Sequence, residues 1–326
     1  MTLSKSILAT LAYHDIFDYP LTADQIHRYL IRGKTSLKTV DKILATLLKQ
    51  KKIIQYSSSE SSLIESNSIT TLDVARRIEK FSTGSNSNIL FALFGRQNLF
   101  PLRIRREKYS KSKFKRTHFF AKVLKIIPTL KLVAISGALA MQNSHNNDDI
   151  DLVLVTSRGT LWTTRFFASI LLMPYKRDPQ GAKVSNRACL NVFLDESDLK
   201  ISPQNLYLAH EIYQMKPIWD RDGTYQRFIN ANKWVKKYLP NWQLEEIVNG
   251  KWKMVNGKSK KSVHSLFTIN YLPIENLLRD FQLWYMRSKI TTERITEHQL
   301  FFHPQNTGEW VMREYQKRLR KLKILN

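Results

Sequence analysis

Apolar residues recur with helical spacing in two stretches near the start of the chain, residues 4–13 and residues 36–50. Ser36 stands where the second of these helices needs an N-cap. Between the two stretches, Thr22 and Gln25 have the spacing of a capping box, in which each side chain accepts the other residue's backbone N–H. The pattern therefore predicts three short helices, the second of which begins after Thr22.

Two short apolar segments, residues 53–56 and 63–64, follow these helices and are separated by a polar turn, so they predict a β-hairpin. Three helices followed by a hairpin resemble a winged helix-turn-helix, and residues 1–65 are predicted to form such a module. Modules of this shape serve DNA binding and protein contact alike, and the sequence favours neither. The third helix and the residues after it carry five lysines, as a helix that faces a DNA groove would: Lys38, Lys42, Lys49, Lys51 and Lys52.

A strongly basic segment follows within residues 66–127, which we predict to be a helical connector. Residues 96–125 contain eleven Lys or Arg and one acidic residue, Glu107, with phenylalanines interleaved. Such a segment suits contact with a nucleic-acid backbone and stacking on bases. It equally suits an amphipathic helix whose basic face is solvated, and the sequence leaves both interpretations open.

The charge of the whole chain points to a polyanion. The chain has 52 Lys and Arg against 27 Asp and Glu, a net charge of +25. Nucleic acid, nucleotide phosphates and anionic membrane are the candidate partners, and the alternative is that the charge only keeps the protein soluble. Cys189 is the only cysteine, which excludes an intramolecular disulfide and favours a reducing compartment. The longest apolar run, residues 166–175, is too short to span a bilayer. We therefore expect a cytoplasmic protein with no transmembrane segment.

The candidate chemistry lies in the middle of the chain. Residues 132–136 have the composition of a buried strand and lead directly into Gly137 and a short helix, a turn that presents backbone N–H groups to an anion. Residues 149–155 predict a second strand, which carries Asp149 and Asp151 on one face. Neighbouring carboxylates repel each other unless a cation lies between them, and oxygen ligands of this kind suit Mg²⁺. The alternative is a strand edge whose carboxylates pair with nearby Lys or Arg.

This motif resembles that of a known group of enzymes. Gly137 and Ala138, a gap of ten residues, and Asp149 with Asp151 closely resemble the signature of the DNA polymerase beta-like nucleotidyltransferase superfamily. That signature is a strand, Gly-Ser or Gly-Gly, a short helix, and Asp-x-Asp or Asp-x-Glu on the next strand. The resemblance covers roughly residues 130–200. Four further stretches are similar to a bacterial family of nucleotidyltransferase-domain proteins: residues 17–21, 190–193, 214–217 and 302–304.

The resemblance implies a role for each residue of the motif. Ser136, Gly137 and Ala138 would hold the triphosphate of an NTP, mainly through backbone amides. Asp149 and Asp151 would bind Mg²⁺ or Mn²⁺ and serve catalysis. The reaction implied is transfer of a nucleoside monophosphate to an acceptor hydroxyl.

Two departures from the family pattern concern activity. The serine that usually follows the glycine is Ala138, so one phosphate-binding hydroxyl is missing. The third catalytic carboxylate of the family is expected on a later strand, residues 188–194, whose polar residue is Asn191. An amide can bind a metal but cannot accept a proton at neutral pH. Asp195 is the fallback for the third carboxylate, and Arg165 is a candidate for neutralising the triphosphate, with a solvated surface position as its alternative.

The sequence thus predicts an α+β protein in four parts. A winged-helix-like module and the connector precede a mixed-sheet nucleotidyltransferase core, residues 128–235, and a helical C-terminal region, residues 236–326. The expected function is that of an Mg²⁺-dependent nucleotidyltransferase. The alternative is a non-catalytic protein that binds nucleic acid or senses nucleotides with a degenerate nucleotidyltransferase domain.

Overall fold

The computed structural model describes residues 1–57, 89–178, 181, 183–243, 245–248, 251–254, 272–287, 293–302 and 306–324. The described residues fall into two compact units. One unit comprises Met1–Arg103, Lys237–Trp242 and Glu314–Asn326, and the other comprises Ile104–Lys236 and Gln243–Arg313. Each unit combines stretches that are distant along the chain, whereas the sequence suggested four consecutive segments.

Three helices and three strands form the N-terminal part of the first unit: α1 (Leu3–Asp15), β1 (Leu21–Thr22), α2 (Ala23–Arg28), α3 (Leu37–Lys49), β2 (Ile53–Ser57) and β3 (Ile89–Leu93). The predicted helix starts are confirmed. Ser36 Oγ accepts the N–H of Thr39 at 3.3 Å, and Thr22 and Gln25 form the capping box at 3.1 and 3.2 Å. The five lysines on and after α3 are all exposed.

The strands of the first unit form an antiparallel sheet in the order β1-β3-β2. Ile53 pairs with Leu93 and Ser57 pairs with Ile89, so β3 is the strand that pairs with the predicted strand β2. The predicted return strand at residues 63–64 lies outside the described residues, and so does most of the polar turn before it.

Eight strands occur in the described residues of the second unit: β4 (Leu130–Ile135), β5 (Ile150–Thr156), β6 (Ala188–Asp195), β7 (Lys216–Asp220), β8 (Glu245–Val248), β9 (Lys251–Met254), β10 (Arg294–Ile295) and β11 (Gln299–Phe301). Six of them form one sheet in the order β10-β11-β6-β5-β4-β7. β5 and β6 are parallel, and the other neighbouring pairs are antiparallel. The predicted α+β class with a mixed sheet is therefore confirmed.

From residue 99 onward the described residues form seven α-helices: α4 (Leu99–Leu124), α5 (Gly137–Ala140), α6 (Leu161–Leu171), α7 (Leu206–Gln214), α8 (Thr224–Ala231), α9 (Leu272–Met286) and α10 (Asn306–Lys321). The helix predicted in the basic segment is α4. None of the described helices combines the length and the apolar character that crossing a membrane requires.

The centre of the mixed sheet is apolar on both of its faces. Leu154 and Val155 on β5 are both fully buried although they face opposite sides of the sheet, which is typical of a strand covered on both sides. The polar residues Asp149 and Asp151 interrupt this pattern only at the start of the strand. The apolar core of the sheet therefore ends where the candidate site begins.

The C-terminal region was predicted to be helical, and this prediction is wrong in part. β8, β9, β10 and β11 come from this region, and β11 pairs with β6, with Leu300 opposite Phe193. β10 and β11, with two and three residues, are too short to show a period-two pattern, so the order of apolar positions does not indicate them. The linker predicted at residues 255–262 lies outside the described residues.

Candidate metal and nucleotide site

The start of β5 brings the two predicted carboxylates together. Asp149 lies one residue before the strand, and Asp151 is the second residue of the strand. The N–H of Ile150, between them, donates to the carbonyl of Arg187 at 2.8 Å, while its side chain is fully buried. Since the neighbours of a buried strand residue face the opposite side, Asp149 and Asp151 face the same side of the sheet. One ligand atom each from Asp149, Asp151 and Cys189 lie within 4.8 Å of one another.

The Gly137 turn lies directly against Asp151. Gly137 has a φ of +61°, and a Cβ atom built on it would lie 3.0 Å from Oδ2 of Asp151. The N–H of Ser136 donates to the backbone carbonyl of Asp151 at 3.2 Å. Only a glycine fits here without strain, because any side chain would meet the carboxylate in a left-handed backbone conformation. Ala138, the next residue, is exposed.

The backbone N–H of Gly137, which the resemblance assigned to a phosphate, donates instead to the side chain of Glu211. Glu211 is a half-buried residue of α7, and its negative charge contributes to the raised pKa of Asp151. A third carboxyl group therefore adjoins the site, and it comes from a helix rather than from a strand. Nothing in the sequence around residue 211 indicated this position.

Asn191 lies beside Asp151, the position that the resemblance gives to the third carboxylate. Asp151 pairs with Cys189 across the parallel strands, and the pairing shifts by one residue after Leu152, which leaves Asn191 as the extra residue of β6. Nδ2 of Asn191 donates a hydrogen bond to Oδ1 of Asp151. The thiol of Cys189 donates to Oδ1 of Asn191 at 2.7 Å. The amide therefore bridges a thiol and a carboxylate.

Burial is the main cause of raised pKa values at Asp151, Glu211 and Cys189. Burial, the charge of Asp149 and the charge of Glu211 raise the pKa of Asp151 to about 7. Burial raises the pKa of Glu211 to about 7 against the effect of its hydrogen bond from Gly137. Burial and the charges of Asp151 and Asp149 raise the pKa of Cys189 to about 12, so this side chain stays a thiol at neutral pH. The donors that remain for a cation are carboxylate oxygens, which suit a hard ion.

Arg177 is the cation that the structure brings to the site. Its Nη1 atom donates to Oδ2 of Asp149 at 2.8 Å, and its side chain is 44% exposed. The neighbouring carboxylate raises the pKa of the guanidinium. Arg177 was not predicted from the sequence, because this residue lies 28 residues after Asp149 in an irregular segment. Cys189 was also missed, although strand alternation places it on the same face as Asn191.

A buried polar stripe of α4 holds the loop that leads into Asp149. Lys113 is 1% exposed, and its Nζ atom donates to the carbonyl of Asn146 at 3.0 Å and to the carbonyl of Asp148 at 2.6 Å. Ser110, one turn earlier, accepts the N–H of Ser144. Arg106, two turns earlier, donates to the side chain of Asn143. The spacing i, i+4, i+7 places these three side chains on one helix face.

The structure does not bring Arg165 or Asp195 to this site. Arg165 donates to Gln282 and lies over the ring of Phe302 at 4.7 Å, so the role predicted for it near the triphosphate is not supported. Asp195 pairs with Thr156 at the opposite end of the strands from Asp151, about five residues or ~16 Å away. It accepts the N–H of Gly159 at 2.6 Å, which is a loop contact.

The chemistry of the donors fits a divalent cation held by Asp149 and Asp151. The pair is half-buried, carries mutual repulsion that a cation removes, and lies against a glycine turn that leaves space beside Oδ2 of Asp151. Comparison of the chain with protein-family models, with curated proteins and with solved structures finds no match.

Proposed function

We propose that this chain is a divalent-cation-dependent nucleotidyltransferase that moves a nucleoside monophosphate from an NTP to an acceptor hydroxyl. The observation that carries the proposal is the convergence of Asp149, Asp151 and the Gly137 turn. The carboxylates lie within 4.8 Å of each other, and the glycine leaves room beside Asp151. Like charges at the start of an otherwise apolar strand destabilise the fold unless they are paired; Arg177 pairs with Asp149, and a cation between the two carboxylates would pair both.

Asp149 and Asp151 would hold Mg²⁺ or Mn²⁺ through their oxygens. Bound there with the triphosphate, the ion would supply charge neutralisation for the phosphates and for the pyrophosphate that leaves. The amide of Asn191 orients the Asp151 carboxylate through its hydrogen bond. It leaves the other oxygen, Oδ2, on the side of the Gly137 turn.

Arg177 would serve as the phosphate-binding cation in place of Arg165. Its guanidinium pairs with Asp149 and is nearly half exposed, so it can exchange this partner for a phosphate when a cation occupies the carboxylates.

Glu211 would accept the proton of the acceptor hydroxyl, since Asn191 has no capacity to do so. A base works best when its pKa is close to the ambient pH, and the pKa of Glu211 is about 7. Its hydrogen bond from Gly137 places the carboxyl group at the turn that adjoins Asp151.

The alternative, a protein that binds a nucleotide without transferring it, is favoured by Asn191, which replaces the third carboxylate of the family.

The two functions differ in their products. Incubation with each α-labelled NTP, Mg²⁺ or Mn²⁺ and total RNA or protein as acceptor should yield a labelled product with the natural chain and none with Asp149→Ala/Asp151→Ala. Equal labelling in the two contradicts transfer at this site. Cation-dependent nucleotide binding with no labelled product supports the alternative.

A further inference from the structure

The two sides of α4 differ sharply in character. The buried side carries Arg106, Ser110 and Lys113, which hold the loop before Asp149. The opposite side is exposed and carries six cations within a sector of about 140° at 100° per residue. We call these six residues the basic face: Arg105, Lys108, Lys111, Lys115, Arg116 and Lys122.

Within the described part of the chain, the basic face has no acidic partner. Among the residues that the structure describes, no acidic side chain forms an ion pair with any of the six. Glu107, the one acid of this helix, is half-buried rather than exposed on that face. From Arg105 to Lys122 the cations follow the helix for about 25 Å, at ~1.5 Å per residue.

An aromatic ring lies within the same face. Phe119 is 43% exposed, and its position between Arg116 and Lys122 on the helix places it among the cations. The ring packs edge-to-face against Tyr175, with 5.1 Å between the ring centroids. Its exposed part can stack on a base whose phosphates the neighbouring cations contact. Duplexes keep their bases stacked on one another, so this combination fits a single strand.

We propose that the basic face of α4 binds single-stranded nucleic acid, with the cations along the phosphates and Phe119 against a base. The proposal goes beyond the nucleotidyltransferase assignment and does not depend on Asp149 or Asp151. Since the bound strand lies on the side of α4 opposite to the loop that the helix holds, the surface would anchor a strand rather than take part in the reaction.

Binding of rU20 to the full chain at several salt concentrations tests the cations. For single strands, the slope of log K against the logarithm of the salt concentration is about −0.7 per phosphate contact. Six contacts therefore predict a slope of about −4 and a ~250-fold loss of affinity between 50 and 200 mM salt. Lys108→Gln/Lys115→Gln/Lys122→Gln should reduce the slope to about −2 and the loss to ~16-fold. An unchanged slope in this variant overturns the proposal.

A control with equal charge separates this surface from the general charge of the protein. Lys200, Lys233 and Lys236 are exposed in the same unit and belong to segments other than α4. Lys200→Gln/Lys233→Gln/Lys236→Gln should keep the slope of the natural chain. If this control lowers the slope as much as the α4 variant does, binding comes from net charge and the proposal is wrong.

Phe119→Ala tests stacking, because it should weaken binding about tenfold at every salt concentration without changing the slope. Phe167, 47% exposed on α6, provides the matched control, and Phe167→Ala should bind normally. The affinity for dT20, compared with that for rU20, distinguishes a preference for single-stranded DNA from one for single-stranded RNA. Stronger binding to a duplex, or to anionic vesicles, than to either single strand overturns the proposal. Asp149→Asn/Asp151→Asn should bind rU20 normally, so failure of this proposal is distinct from failure of the enzymatic one.

Discussion

The side-chain amide of Asn191 donates a hydrogen bond to Oδ1 of Asp151, although the two residues are 40 positions apart in the sequence. The bond orients the central carboxylate of the candidate site without adding a charge. The shift in pairing between β5 and β6 leaves Asn191 as an extra residue of β6 and brings it beside Asp151. The strands thus supply two carboxylates and an amide, while the third carboxyl group near the site, that of Glu211, comes from α7.

Restoring a carboxylate at this position should strengthen cation binding. Asn191→Asp places a third negative charge beside Asp149 and Asp151, so the affinity for Mn²⁺ should rise about tenfold, or ~1.4 kcal/mol. Electron paramagnetic resonance of free Mn²⁺ during titration measures this affinity. Cys189→Ser, which changes the neighbouring side chain without adding charge, should leave the affinity unchanged. A weaker affinity in Asn191→Asp would contradict the assignment of Asp151 as a ligand.

Gly137 should be intolerant of a side chain for a reason specific to the site. Gly137→Ala places a Cβ 3.0 Å from Oδ2 of Asp151 at a φ of +61°. Gly159 has a φ of +65° with nothing within 4 Å of the corresponding Cβ, so Gly159→Ala carries the backbone cost alone. Both variants should lose about 1 kcal/mol of stability in urea denaturation. Only Gly137→Ala should also weaken Mn²⁺ binding, and equal Mn²⁺ affinities in the two variants would contradict this account.

Lys113 should stabilise the loop before Asp149 rather than bind a polyanion. Lys113→Met removes the donor to two backbone carbonyls and to Oδ1 of Asn186, which leaves buried acceptors without a partner. The expected loss is about 3 kcal/mol of unfolding free energy, together with weaker Mn²⁺ binding. Lys111, exposed on the same helix, provides the control. Lys111→Met should change stability by no more than ~0.5 kcal/mol, and a similar loss in both variants would remove the anchoring role.

The parts of the site that sequence predicted are those set by local pattern. Asp149, Asp151 and Gly137 follow from strand alternation and from a glycine between a strand and a helix, and both signals lie within about twenty residues. Arg177 and Glu211 reach the site through an irregular segment and through the docking of a helix, and no local pattern reports such contacts. For the same reason the prediction placed Arg165 near the triphosphate, whereas the residue packs against Gln282 of α9.

The fold also contains elements that local pattern predicts and elements that it does not. The capped helices α2 and α3 were predicted closely, because Thr22, Gln25 and Ser36 act on their own immediate neighbours. The strands β10 and β11 were not predicted, because they owe their conformation to pairing with each other and with β6. A short strand acquires its structure from its partner and carries little pattern of its own.

Cation binding should depend on pH through Asp151 and Glu211, whose pKa values are raised to about 7. In the unfolded chain these groups lose their protons near pH 4, so the folded state holds more protons between pH 4 and 7 and its stability falls as pH rises through that range. A cation that binds the ionised carboxylates offsets this fall. The increase in melting temperature caused by Mn²⁺ should therefore be small at pH 6 and larger at pH 8.

Asp151→Asn/Glu211→Gln isolates the two groups responsible. In this variant the fall in stability between pH 4 and 7 should be reduced, and the Mn²⁺ effect should be lost at every pH. A Mn²⁺ effect in the natural chain that is constant from pH 6 to pH 8 would show that neither carboxyl group takes part.

The most direct test of the central claim is the affinity of the chain for Mn²⁺ in the presence of an NTP, measured by calorimetry with and without the two carboxylates. Asp149→Asn/Asp151→Asn keeps the size of both side chains and removes their charge. We expect saturable Mn²⁺ binding by the natural chain and an affinity at least ~100-fold lower, about 2.7 kcal/mol, in the variant. Equal affinities for Mn²⁺ in the two proteins would show that Asp149 and Asp151 do not form the metal and nucleotide site.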